Sequence, residues 1–175
     1  MLVDQDAYKW YALFVMTGEE DNVKERILYR LKDKDLNVIV PKRLLRERRQ
    51  GVWENKLRTL FPGYVLLNGY VGIEDYYSLK GIPGLITILK DRNGPLAMSE
   101  NELGIISRLI KDDATAGISA VLIEGSRVVV VDGPLLGLDG YIQSIDKRKG
   151  RVKVRLSLYG EVKLVELSVS MVQSA

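Results

Sequence analysis

Between Gly125 and Gly160 the chain reads GSRVVVVDGPLLGLDGYIQSIDKRKGRVKVRLSLYG. β-Branched runs alternate there with glycines, and each run ends in turn chemistry, which restricts the segment to short strands in hairpins closing a very small barrel. Val128–Val131 is an apolar strand. Gly133-Pro134 interrupts the ladder, because proline has no N–H to donate, and Gly137 and Gly140 suit the positive-φ or close-approach positions of a sharp bend. Tyr141, Ile142 and Ile145 resume the strand pattern. After a turn at Lys147–Gly150, strict alternation puts Val152, Val154 and Leu156 on one face and Arg151, Lys153 and Arg155 on the other. With Lys147, Arg148 and Lys149 in the turn, six cations fall within nine residues, with no carboxylate among them. Two readings stand side by side: a phosphate-binding face, or a solvated face that keeps an edge strand soluble.

The residue inventory narrows the function. Zero cysteines and zero histidines remove disulfides, thiolate nucleophiles, the commonest general base and the commonest metal ligands. An enzyme would then need a constellation of carboxylates or a phosphate-binding glycine loop. Asp112-Asp113 fall in linker-like sequence, and Gly133-Pro134-Leu135-Leu136-Gly137 lacks the Lys and helix of a P-loop. The expectation is a non-enzyme without cofactor or metal. No apolar run approaches the roughly 20 residues that span a bilayer, and MLVDQDAYKW lacks a cationic start and an apolar core, so a cytoplasmic protein without membrane contact is expected. A net charge of +3 argues little for a partner; the distribution carries the case.

The 175 residues suffice for one medium domain or two small ones. Residues 9–16, KWYALFVM, read as a buried central strand. Thr17 can cap a helix over about 18–33, where Val23, Ile27, Leu28 and Leu31 recur at helical spacing. Val38–Val40 is a short strand stopped by Pro41. Two charged arms meet at Gln50-Gly51, a hairpin projecting from the sheet. FPGYVLL at 61–67 is a strong strand, Asp75–Leu79 a short helix and Leu85–Leu89 another strand. Ser99, with Glu102 three residues on, opens a helix with Leu103, Ile106, Leu109 and Ile110 as its apolar stripe. Asp112–Ala120 has the composition of a flexible linker. The fold class expected is an α+β N-terminal domain (antiparallel sheet flanked by helices) over 1–111, a linker over 112–119 and a small all-β barrel over 120–175.

Gly125, the valine run, Gly133-Pro134, Gly137, Gly140 and Tyr159-Gly160 resemble the KOW motif, a small SH3-like barrel found in NusG-like transcription factors and some ribosomal proteins. Family versions usually carry Phe after the Gly-Pro pair; Leu135 stands here, which puts contacts credited to that aromatic in question. Trp10-Tyr11-Ala12, Thr17-Gly18-Glu19-Glu20, Val40-Pro41, Phe61-Pro62-Gly63-Tyr64-Val65 and Ile82-Pro83-Gly84-Leu85-Ile86 resemble the N-terminal (NGN) domain of the same family, so the resemblance covers nearly the whole chain. It implies a monomeric bacterial transcription elongation factor whose N-terminal domain docks on the clamp helices of the largest RNA polymerase subunit. Phe61, Tyr64 and Leu66 are the matching docking residues, with Ile86 and Leu89 beside them. The alternative is that these side chains fill the domain's own core, Val65 and Leu67 being the better core residues if Tyr64 and Leu66 point outward.

The resemblance also places the basic hairpin beside the transcription bubble. There Arg43, Arg46, Arg48 and Arg49 would neutralise non-template DNA phosphates, and Trp53 could stack on an unpaired base; a solvated hairpin is the competing reading. Lys147, Arg148, Lys149, Arg151, Lys153 and Arg155 would hold a nascent RNA hairpin, as expected of specialised paralogues similar to LoaP that promote processive antitermination. Valine-rich strand periodicity argues for a permanent barrel over the helical state known in the family member RfaH. A housekeeping NusG-type elongation or termination factor and a ribosome-associated KOW RNA-binding protein are the alternatives, and a small-subunit ribosomal protein is a further candidate partner.

Overall fold

The computed structural model describes residues 9–111 and 113–173. In chain order the elements are β1 (Lys9–Val15), α1 (Glu20–Arg30), β2 (Asn37–Ile39), β3 (Lys42–Arg49), β4 (Val52–Thr59), β5 (Tyr64–Gly69), α2 (Ile73–Lys80), β6 (Leu85–Ile88), β7 (Lys90–Asp91), β8 (Gly94–Pro95) and α3 (Glu100–Leu109). The rest is strand: β9 (Thr115–Ala116), β10 (Ser119–Glu124), β11 (Arg127–Asp132), β12 (Ile142–Asp146), β13 (Arg151–Leu158) and β14 (Glu161–Met171), with a 3-10 turn at Asp139–Tyr141. Two compact units form. One takes in the chain to Pro41 together with Phe61–Leu103; the other joins Lys42–Leu60 to Gly104 and beyond. The division falls inside α3.

In the first unit the sheet runs β2-β5-β1-β6 with every pairing antiparallel. Register sets Tyr11 opposite Leu67 and Leu13 opposite Val65, so these side chains share one face with Val15 and Val38. Against that face pack Val23 and Ile27 of α1 and Leu31 at its C-cap, spaced four residues apart, and Tyr76 and Leu79 from α2. Each such aliphatic side chain contributes about 1.5–3 kcal/mol by leaving water.

The helix start differs from the expected Thr17 cap. Glu19 holds the N-cap position without a side-chain capping bond, and the buried Glu20 does the tying: its carboxylate accepts the N–H of Gly18 and that of Gly63, both at 2.9 Å. A buried carboxylate is tolerable only with such donors, and here it links the α1 entry to the loop ahead of β5. Ser99 behaves as expected, its hydroxyl accepting the Glu102 N–H at 3.2 Å.

The second unit has a five-stranded sheet, β11-β10-β14-β13-β12, in which β10 and β14 run parallel and the other neighbours antiparallel. It is a half-barrel of strands. Alternation on β13 is as expected: Val152, Val154, Leu156 and Leu158 are buried, while Lys153 and Arg155 are exposed. On β11 only Val130 is buried, because this strand lies at the sheet edge. The Asp139 carboxylate accepts the Val130 N–H at 3.0 Å, satisfying part of that edge.

Within the stretch expected from its composition to be a flexible linker, residues 113–119 carry strand pairing and burial; Asp112 lies outside the described residues. Thr115 and Ala116 pair in parallel with Lys42 and Arg43, and Ala116 and Ser119 are fully buried. Small residues suit close packing as well as flexibility, and Ser119 is small for a reason. Its hydroxyl accepts the Leu135 N–H at 3.0 Å, and a Cβ on Gly133 would stand 2.6 Å from its Cα.

Two outcomes test these packings. Glu20→Ala strands two amides and should lower stability by about 1–3 kcal/mol in urea unfolding. Gly133 has a φ of +102° against backbone that cannot yield, so Gly133→Ala should destabilise by at least about 2 kcal/mol and shift the second unit's melting while leaving the α1 circular-dichroism signal until its own transition.

Candidate nucleic-acid interface

The hairpin of β3 and β4 is built by its turn. Gln50 and Gly51 both have positive φ, 51° and 80°, the type I′ geometry whose twist matches paired strands. Register sets Arg48 opposite Trp53 and Arg46 opposite Asn55, so Arg46, Arg48 and Trp53 share one face. The Arg46 guanidinium lies 5.5 Å from the centre of the Trp53 ring, a cation–π contact. Trp53 is 43% exposed.

Hydrogen bonds fix this hairpin to the C-terminal strands of the same unit. Arg43 Nη1 donates to the Glu166 carbonyl at 2.6 Å, and the Arg46 N–H donates to Ser168 Oγ at 3.0 Å. Arg151 Nη2 returns a bond to the Arg46 carbonyl at 3.3 Å, while its Nη1 meets the Glu166 carboxylate at 3.1 Å. Burial pulls the Arg43 guanidinium below its ordinary value, with the Glu166 carboxylate opposing that shift.

Arg43 and Arg151 therefore turn Nη donors to protein rather than to solvent, and the Nε of each is buried without a partner. The other hairpin and turn residues predicted to bind nucleic acid are brought together. Arg46, Arg48, Arg49 and Trp53 line an open cleft of about 430 Å³ with Lys149 and Arg151, and a neighbouring cleft adds Lys147 and Arg148 against Arg46 and Trp53. The carboxylate among these lining residues is Glu47, which is neutralised by Arg58 at 2.7 Å; that hydrogen bond holds Glu47 below the usual carboxylate range. Lys153 and Arg155 stand apart, further along β13, with Arg155 in a separate cleft beside Tyr141 and Ser157. Sequence reasoning gave the hairpin to DNA and the turn to RNA. No local signal joins segments this far apart in sequence; the only trace was that both were rich in cations.

The expected docking residues are placed differently from the expectation. Alternation holds, since Tyr64 and Leu66 face away from α1 and α2, paired with Phe14 and Ala12. Yet Phe61, Tyr64 and Leu66 are 2%, 8% and 1% exposed, and Tyr64 packs on Phe14 with ring centres 4.9 Å apart. An inner strand with an unbroken apolar run is buried on both faces, and β5 is such a strand. Ile86, on the edge strand β6, is 64% exposed and Leu89 is half-buried.

An α+β unit of this topology is carried on the same chain as a strand-built module with a cationic cleft. Residues 8–107 match the family model described as transcription termination factor nusG, and the chain belongs to the NusG family. It is 26% identical over 97% of its length to the transcription termination/antitermination protein NusG of Rickettsia felis, covering 92% of that protein. The NusG of Thermus thermophilus is 29% identical, with 95% of this chain and 98% of that one covered. The solved structure titled "Domain interaction in Thermotoga maritima NusG" shares the fold with a TM-score of 0.55 at 24% identity, covering 92% of this chain and 93% of that one.

The division of labour among the arginines is measurable. Arg43→Ala and Arg151→Ala should each cost about 1–3 kcal/mol of second-unit stability, whereas Arg148→Ala, on an exposed turn, should stay within about 0.5 kcal/mol of the parent in thermal unfolding.

Proposed function

We propose that this protein is a bacterial transcription elongation factor that binds RNA polymerase through its N-terminal unit and promotes processive antitermination, its C-terminal module contacting structured nascent RNA. The observation that carries the RNA part is the row of exposed cations, Lys147, Arg148, Lys149, Lys153 and Arg155, on a turn and strand held rigid by the buried valines behind them. Family membership carries the transcription part.

The polymerase surface is the β5–β6 side of the first unit, with the clamp helices of the largest subunit as partner. Ile86 is its accessible anchor. Phe61, Tyr64 and Leu66 are buried and Leu89 is half-buried. Aliphatic and aromatic side chains on such a face give a helix pair a large apolar contact at low entropy cost.

Core polymerase from a bacterial host, immobilised, should retain the full chain, and Ile86→Arg should weaken retention at least about tenfold while leaving the unfolding curve unchanged. Retention by ribosomes and not by polymerase would favour a ribosome-associated RNA-binding protein. In transcription through an intrinsic terminator, read-through that rises only on templates encoding a leader hairpin supports the specialised role. An equal effect on every template returns the protein to the housekeeping type.

A further inference from the structure

The pinning of the hairpin has a chemical consequence for what the cations can hold. Both backbone polar groups of Arg46 are taken by the C-terminal strands, its N–H by Ser168 Oγ and its carbonyl by Arg151, and Ser168 is fully buried. That pair of hydrogen bonds fixes the face carrying Trp53 against the Lys147–Gly150 turn. An exposed indole and the turn cations then line the same clefts. The turn is itself ordered, since the Asp146 carboxylate accepts the Lys149 N–H at 3.0 Å.

We propose that the hairpin and the turn form one site for an unpaired stretch of nucleic acid, a base stacking on Trp53 while Lys149, Arg148 and Arg49 hold the phosphates on either side of it. Deepening the reading that the C-terminal cations contact nucleic acid, the inference rests on that reading. Cations alone accept a duplex and a single strand alike. An accessible indole among them discriminates, because a base inside a duplex offers its face to its neighbours and none to the protein, whereas an unpaired base can stack on an aromatic ring. The ligand chemistry is a free base flanked by phosphodiesters, which a transcript loop and a displaced DNA strand both supply.

The test uses the full chain and fluorescence anisotropy at physiological salt. Four probes are compared: a single-stranded RNA 12-mer, the DNA of the same sequence, the RNA duplex, and the single-stranded RNA with its central bases removed and its phosphates kept. The single strands should bind more tightly than the duplex, and removing the bases should cost roughly 5- to 150-fold, the span expected for one lost stack. Trp53→Ala should cause a similar loss on the intact single strand and almost none on the abasic one, with Trp53→Phe recovering most of it. Lys149→Ala should flatten the salt slope by about one unit, and its effect should be smaller in the Trp53→Ala background, as expected when both touch one ligand. Tighter binding of the RNA strand assigns the site to the transcript; tighter binding of the DNA strand assigns it to a displaced strand; either supports the shared site. Duplex binding as tight as single-strand binding, or a Trp53→Ala chain that loses nothing, overturns the inference while leaving the C-terminal cations as a nucleic-acid surface. Absence of binding to all four probes overturns that broader reading as well.

Discussion

Arg46 is held by its backbone, and the whole cationic surface depends on that. A two-residue turn such as Gln50-Gly51 sets the hairpin's twist but leaves a long ribbon free to swing. The Arg46 N–H on Ser168 and the Arg46 carbonyl on Arg151 remove that freedom at one point, and Arg43 on the Glu166 carbonyl removes it at a second, three residues away. Because these bonds engage main-chain groups, the Arg46 side chain stays available to the cleft. The arginines that do the holding give up their charge to protein; those that remain face solvent. One residue type thus serves two purposes: Arg43 and Arg151 bond to protein, while Arg46, Arg48 and Arg49 line the cleft.

Burial explains the first unit in a different way. β5 is flanked on both edges and covered on both faces, so its apolar run is almost wholly withdrawn from water. Specificity there comes from polar groups placed inside: Glu20 collects two amides that would otherwise be enclosed without acceptors. A charged group in such a position stabilises less by attraction than by the penalty it avoids. The connection it makes, from the first helix to the loop before β5, sets the strand's starting point and hence which residues fall on which face.

Much of this was legible in the sequence. Period-two alternation on β13, the helical spacing of Val23, Ile27 and Leu31, the Gln50-Gly51 turn and the Ser99 cap are local patterns, and local physics settles them. The sheet-and-helix unit and the strand-built module follow from those patterns. Three features were not legible. Thr17 looked like a cap because hydroxyl caps are common, but the longer carboxylate of the first helical residue reached two amides at once. The Ala- and Gly-containing stretch before β10 read as linker because small residues serve close packing and flexibility equally. Tyr64 and Leu66 were placed on the correct face, yet their exposure depends on what lies over the sheet, which strand alternation does not contain. For the site, the cations and Trp53 were visible one segment at a time; their convergence is a tertiary fact.

The bonds that pin the hairpin join residues separated by 123, 122 and 105 positions in the chain. During synthesis from the N-terminus, β3 and β4 are made long before their acceptors on β14 exist. The hairpin must therefore wait, with Leu45 and the Arg43 guanidinium still in water, until β14 is available. Contacts of this sequence separation pay their loop-closure entropy before any return arrives, so they form late. The cationic cleft is accordingly a late product of synthesis: a chain interrupted before β14 carries the same charges but has no surface that holds them in register.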